Sequence, residues 1–138
     1  MRALILHTDQ FKSKTVEKST RPEGIKSDPE GLGDREMQNG ITVFFCVKKN
    51  DDSVKLNNLY NEILSAANDF KTQEIMIAPF AHLSNQTAEP KLAKKLYEEL
   101  VLRFKETTFK IETSQFGYHK SLLLEIKGHP GSFRYREF

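Results

Sequence analysis

The sequence predicts an α/β domain: a mixed β-sheet with two principal helices packed on it. Short apolar runs rich in β-branched and aromatic residues mark strands. Two longer segments repeat apolar residues at three- and four-residue steps, which marks amphipathic helices. The two kinds of segment alternate through the middle of the chain in the order β-(β)-β-α-β-α-β-β, the pattern of helices laid on one sheet.

The runs Ala3–Thr8 (ALILHT) and Ile41–Val47 (ITVFFCV) read as strands with at least one buried face. Between them, residues 10–40 are polar and contain Pro22, Pro29 and four glycines. FKSKTVEKS, from Phe11, fits one edge strand, and RPEGIKSDPEGLGD, from Arg21, reads as a mobile loop. Leu56, Leu59, Ile63, Ala67 and Phe70 line one face of a helix over residues 53–70, with Asp51, Asp52 or Ser53 available as its N-cap. EIMIAPF, from Glu74, is a strand stopped by Pro79. A second helix runs from Pro90, suited to a first turn, to about Glu106, with Leu92, Leu96, Leu100 and Phe104 on one face. FKIET and SLLLEIK, from Phe109 and Ser121, complete the sheet. If the strands around residues 41–47 and 74–79 are parallel, the helix joining them makes a right-handed crossover.

The chain has 138 residues, the size of one domain, and the expectation is a single unit over residues 1–138. With 21 basic and 19 acidic residues, the charge is too balanced for wrapping a long duplex, though not for holding a short end or a single nucleotide. Cys46 is the only cysteine, so an internal disulfide and a cysteine-based zinc cluster are excluded, and a reducing cytosol suits the chain. No stretch reaches the roughly 20 apolar residues of a membrane-spanning helix, and the apolar run in MRALILH is short for a signal segment. The localisation expected is cytoplasmic.

Phosphate-cradling glycine loops, HExxH and GxSxG are absent. What remains is polar residues at strand ends, where sites in α/β sheets gather: APFAHLS (78–84), FGYHK (116–120) and KGHPG (127–131). Each residue has an ordinary reading when taken alone. His82 can satisfy a backbone carbonyl, Lys120 can blunt a sheet edge, His129 with Pro130 can be turn chemistry, and Cys46 a small packing residue.

Taken together, LILHTD, FFCVKK, PFAHLS, FGYHK and KGHP, in this order and almost end to end, resemble the N-terminal editing domain of archaeal threonyl-tRNA synthetases. The 10–40 segment is the least similar part. That resemblance implies a D-aminoacyl-tRNA deacylase-like fold, a homodimer, and hydrolysis of L-serine wrongly attached to tRNA for threonine. No cofactor and no metal is implied. The partners implied are the tRNA, through its 3′ terminal adenosine carrying serine, and possibly a synthetase catalytic domain or chain, since editing occurs either fused to the synthetase or on a companion chain.

Carried over by the resemblance, Lys120 is the first catalytic candidate, as an ammonium that orients the ester and stabilises oxyanion charge. His82 is the second, contacting the seryl group or its water. Pro79, Phe80 and Ala81 shape the pocket, Val47 lines its adenine side, and Tyr118 is the family aromatic. The family is thought to rely partly on the ribose 2′-hydroxyl, so RNA-assisted hydrolysis is expected. Two positions depart from the family pattern. His119 stands where the family has tyrosine, which adds a group titrating near neutrality. Phe133 stands where the family has glutamate, and Glu137 is the nearest carboxylate to take its place. Two other readings remain open: a D-aminoacyl-tRNA deacylase, because Ser114–Phe116 (SQF) matches a motif of those enzymes whose Gly-Pro-Val companion is missing here, and a non-catalytic RNA-binding or dimerisation module. Lys91, Lys94, Lys95, Arg103 and Lys105 offer the second helix as a basic face for the tRNA body.

Overall fold

The computed structural model describes residues 1–18 and 33–138. Its elements are β1 (Arg2–Lys18), β2 (Arg35–Cys46), α1 (Ser53–Phe70), β3 (Glu74–Pro79), α2 (Pro90–Lys105), β4 (Lys110–Thr113), β5 (Tyr118–Ile126) and β6 (Phe133–Glu137), with one turn of 3-10 helix at Ala81–Leu83. The sheet order is β4-β3-β2-β1-β5, and β6 pairs with β1 on the β5 side. β2, β3 and β4 run parallel, while β1 is antiparallel to β2, β5 and β6. This is the mixed sheet with two helices that the sequence predicts.

Three elements differ from expectation. FKSKTVEK, residues 11–18, is not an edge strand but the second half of β1, continuous with ALILHT, paired with β2 as far as Ser13 and with β5 on its other side. β2 begins at Arg35, six residues before the strand expected from Ile41. Residues 21–32 of the expected mobile loop lie outside the described residues. β6 was not expected: its sequence, FRYRE, alternates exposed and half-buried positions and has no apolar run to announce it.

The central strands are apolar on both sides because the sheet is covered on both sides. Ile41, Val43, Phe45, Ile75 and Ile77 face the helices, while Phe44, Met76 and Ala78 face a second, smaller core with Leu6, Phe11 and Met37. Helix α1 buries Leu56, Leu59, Ile63, Ala66 and Ala67; α2 buries Leu96, Tyr97, Leu100, Val101 and Phe104. Each such large side chain contributes about 1.5–3 kcal/mol. Asp52 caps α1 by accepting from the Lys55 N–H (3.0 Å), and Pro90 opens α2.

The second core exists because the sheet curls. Phe11 pairs in register with Met37, near the start of β2, yet its ring lies 6.4 Å from that of Phe44, near the strand's end. A register shift between Thr8 and Gln10 against β5, and Asn39 at φ +50° in β2, bend the two strands there. Gly40 occupies the bend at closest approach. A Cβ at this position would meet the Glu74 carbonyl oxygen at 2.6 Å and Met37 Sδ at 2.7 Å. A backbone oxygen in a paired strand cannot withdraw cheaply, so Gly40→Ala is expected to destabilise the fold by about 1–3 kcal/mol. Urea unfolding of the variant measures this; unchanged stability would show that the bend tolerates a side chain.

Candidate functional site

The curl and the C-terminal ends of β2 and β3 enclose a cavity of about 700 Å3, within the range of sites for small organic ligands. β2 supplies Phe44, Phe45 and Cys46, with Val47 just beyond it, and β3 supplies Ala78 and Pro79. Pro79 ends the strand, the Phe80 N–H donates to the Phe45 carbonyl (2.8 Å), and the chain turns through Ala81–Leu83, leaving Ala81 and His82 exposed at the rim. The ring of His82 meets that of Phe80 edge-on at 5.2 Å. On the far wall the chain leaves β4 and reverses through Ser114–Gly117. Gly117 has φ +82°, which glycine alone adopts without penalty, and this reversal starts β5 so that Tyr118, His119 and Lys120 join the cavity wall, His119 at its exposed side.

Of the residues picked out in the sequence, Val47, Pro79, Phe80, Ala81, His82, Tyr118, His119 and Lys120 all line this one cavity. Glu137 does not. It lies on β6, where its carboxylate accepts from Lys48 Nζ (2.7 Å) and Arg2 Nε (3.0 Å), and these partners pull its pKa down to about 2. Its influence on the rim is indirect, since Arg2 also donates from Nη1 to the Leu83 carbonyl (3.0 Å) and so braces the turn that carries His82. Phe133 is 62% exposed on β6, paired with Leu6, and is not a cavity residue. His129 lies elsewhere too, with Nε2 2.8 Å from Nδ1 of His7, whose ring stacks on Phe70. The basic face of α2 is partly neutralised from within, by Lys94–Glu98 (2.6 Å) and Arg103–Glu99 (2.5 Å) pairs.

Several wall residues were not picked out: Phe11 and Ser13 from β1, Tyr97 from α2, and Gln115 from the turn. SQF was the only signal at Gln115, and none marked Ser13, which reaches the cavity because β1 curls. Gln115 and Ser13 are each 3% exposed, and Gln115 Oε1 and Ser13 Oγ have no hydrogen-bond partner among the described residues.

Lys120 is the charged group whose state matters most here. Its ammonium donates to the Gln115 carbonyl, and burial lowers its pKa from the ordinary lysine value to about 8. At pH 7 it is therefore still mostly charged, in surroundings where a charge acts strongly on a nearby polar bond. Cys46 is not poised as a nucleophile, because burial pushes its thiol pKa up and keeps it protonated. The cavity thus offers a cation, backbone groups and aromatic walls.

A lysine held below its unfolded pKa opposes folding while it is charged. That cost is fully present below about pH 8 and fades as pH rises toward the unfolded value near 10.5. Lys120→Met is therefore expected to raise the urea midpoint at pH 7 and to lose that advantage between pH 8 and 10.5. A variant less stable than the parent at pH 7 would contradict the burial of the charge.

A family model described as the archaea-specific editing domain of threonyl-tRNA synthetase matches residues 1–138. Threonine–tRNA ligases from Thermococcus onnurineus and Methanococcus aeolicus are 33% and 30% identical to the chain over 135 and 133 residues, 94% of its length in each case. The chain spans only about a fifth of those relatives (21% and 20%). Among solved structures, the c-Myc DNA Unwinding Element Binding Protein superposes over 100% of this chain and 99% of its own, with a TM-score of 0.73 at 14% identity, which shows a shared fold. With the whole chain matched by the family model, the protein belongs to the archaea-specific editing-domain family of threonyl-tRNA synthetases.

Proposed function

We propose that the chain removes L-serine from tRNA for threonine by hydrolysing the ester at the terminal adenosine, in the cytosol, as a domain of or companion to a synthetase. The observation that carries this reading is the half-buried Lys120 ammonium, set in one cavity with the Pro79–His82 segment, in a chain of the editing family.

Serine differs from threonine by one methyl group, and a missing methylene gives a binding pocket only about 1–3 kcal/mol of discrimination. A second pocket that admits serine and clashes with the threonine methyl corrects the error. The terminal adenosine lies toward the open side, with Val47 on its adenine side and the backbone of Pro79, Phe80 and Ala81 against the ribose and ester. Water attacks the carbonyl carbon, and the developing oxyanion is stabilised by the Lys120 ammonium, which is already desolvated and oriented. His82 holds the seryl group or the water. Tyr118 and His119 close the side next to Lys120. The carbonyl–oxygen bond to the ribose then breaks, the ribose oxygen takes a proton, and serine leaves. Among the described residues the cavity wall offers no activated nucleophile, so the vicinal 2′-hydroxyl of the RNA assists.

The deciding experiment is deacylation of seryl-, threonyl- and D-aminoacyl-tRNA by the purified protein. Seryl-tRNA is expected to be hydrolysed and threonyl-tRNA spared. Lys120→Ala is expected to abolish the activity, and kcat/KM to fall above about pH 8 as the ammonium loses its proton. Preference for a D-aminoacyl ester would favour the D-aminoacyl-tRNA deacylase reading, and no hydrolysis at any pH would leave only a binding module.

The homodimer implied by the resemblance belongs to the same proposal. Leu122, Leu123, Phe133 and Tyr135 expose large apolar surface on β5 and β6, beside β1. Light scattering is expected to give twice the chain mass of 15.9 kDa, and Leu123→Glu to halve it. A monomer at micromolar concentration would remove the dimer from the reading.

A further inference from the structure

The deep wall of the cavity carries two polar atoms that have no hydrogen-bond partner among the described residues. Gln115 donates from Nε2 to the Gly33 carbonyl (2.9 Å), which fixes its amide orientation and leaves Oε1 on the other branch without a partner among the described residues. Ser13 Oγ is likewise unpartnered. Both residues line the cavity, and both are almost completely buried. They belong to one corner. Ser13 faces Leu122 across the β1–β5 ladder, Lys120 lies two residues from Leu122 on the same face, and Lys120 is bonded to the carbonyl of Gln115.

We infer that Gln115 Oε1 and Ser13 Oγ read the hydroxyl of the aminoacyl side chain, selecting hydroxyl-bearing amino acids against alanine and glycine. This rests on the serine-removal reading. A carbonyl oxygen accepts, while a serine hydroxyl both donates and accepts, so the pair complements a group that gives one hydrogen bond and takes another. A hydroxyl is such a group. A substrate ammonium is not, because it only donates and would lie beside the Lys120 cation. A methyl group in the same place leaves two buried polar atoms unmet, which is what makes a hydrogen-bonding pocket reject the analogue that lacks its partner. The depth of the corner points to the side chain rather than to the ribose. The RNA must leave through the open side, and the side chain is the part of the substrate farthest from it.

The test is calorimetric binding of hydrolysis-resistant seryl and alanyl amides of 3′-amino-adenosine to the wild-type protein, Gln115→Leu and Ser13→Ala, each variant first shown to melt cooperatively. The wild type is expected to bind the seryl compound at least tenfold more tightly than the alanyl one. Each variant is expected to bring that ratio toward one by weakening the seryl compound alone. Should Gln115→Leu fail to fold without its Gly33 contact, Ser13→Ala decides. Equal wild-type binding of the two compounds, or a ratio that neither variant changes, overturns the inference and leaves serine removal standing, with solvent serving the two atoms. Failure of the wild type to bind either compound overturns both.

Discussion

The architecture depends on β1 running unbroken for 17 residues through a sheet that bends beneath it. One half of the strand is held between β2 and β6, and the other reaches from β2 toward β5. Because the hydrogen-bonded ladder is continuous, a bend in it cannot be local. Turning at Thr8–Gln10 and Asn39 carries the second half of β1, with β5, over the second face of the sheet. Phe11 then meets Phe44, and Ser13 and Lys120 reach a cavity whose opposite wall is the end of β3. The core and the site therefore share one cause.

The same geometry explains why a lysine can be buried where it is costly. Lys120 lies on the outer strand of the sheet, where a lysine ordinarily extends into water and discourages edge pairing. The curl folds that edge inward. The side chain loses solvent and retains one carbonyl partner, so its charge is held at a cost to stability that the surrounding packing offsets. A desolvated, fixed cation is what a transition state with developing negative charge requires. The other wall is braced differently, by Arg2 between the Glu137 carboxylate and the Leu83 carbonyl, which links the strand pair β1–β6 to the turn bearing His82.

How much of this was legible depends on how far each feature reaches along the chain. Both helices were read within a residue or so, because a repeat of three and four residues reports one buried face directly. β3 and the second half of β2, from Ile41, were read from apolar runs, since a strand covered on both sides has no polar face to disguise it. The second half of β1 was misjudged because its exposed charges, Lys12 and Lys14, alternate with residues buried only by the curl, Phe11 and Ser13. β6 was missed because its pairing with β1 is sustained by backbone bonds while its side chains stay largely at the surface. At the site, PFAHLS and FGYHK marked the residues that now share a cavity, whereas Glu137, chosen by nearness in sequence, lies outside it.

The sequence by itself determined the fold class, the two helices and the short segments that bring chemistry to the strand ends, because these follow from local periodicity and from residue types at fixed spacing. Only the tertiary structure decided which segments face one another, that Lys120 is desolvated rather than an edge charge, and that Ser13 Oγ and Gln115 Oε1 are buried without a hydrogen-bond partner among the described residues. Those properties belong to contacts between residues far apart in the chain. They arise from the curl of the sheet, which depends on how β1 pairs along its whole length and is written in no single stretch of residues.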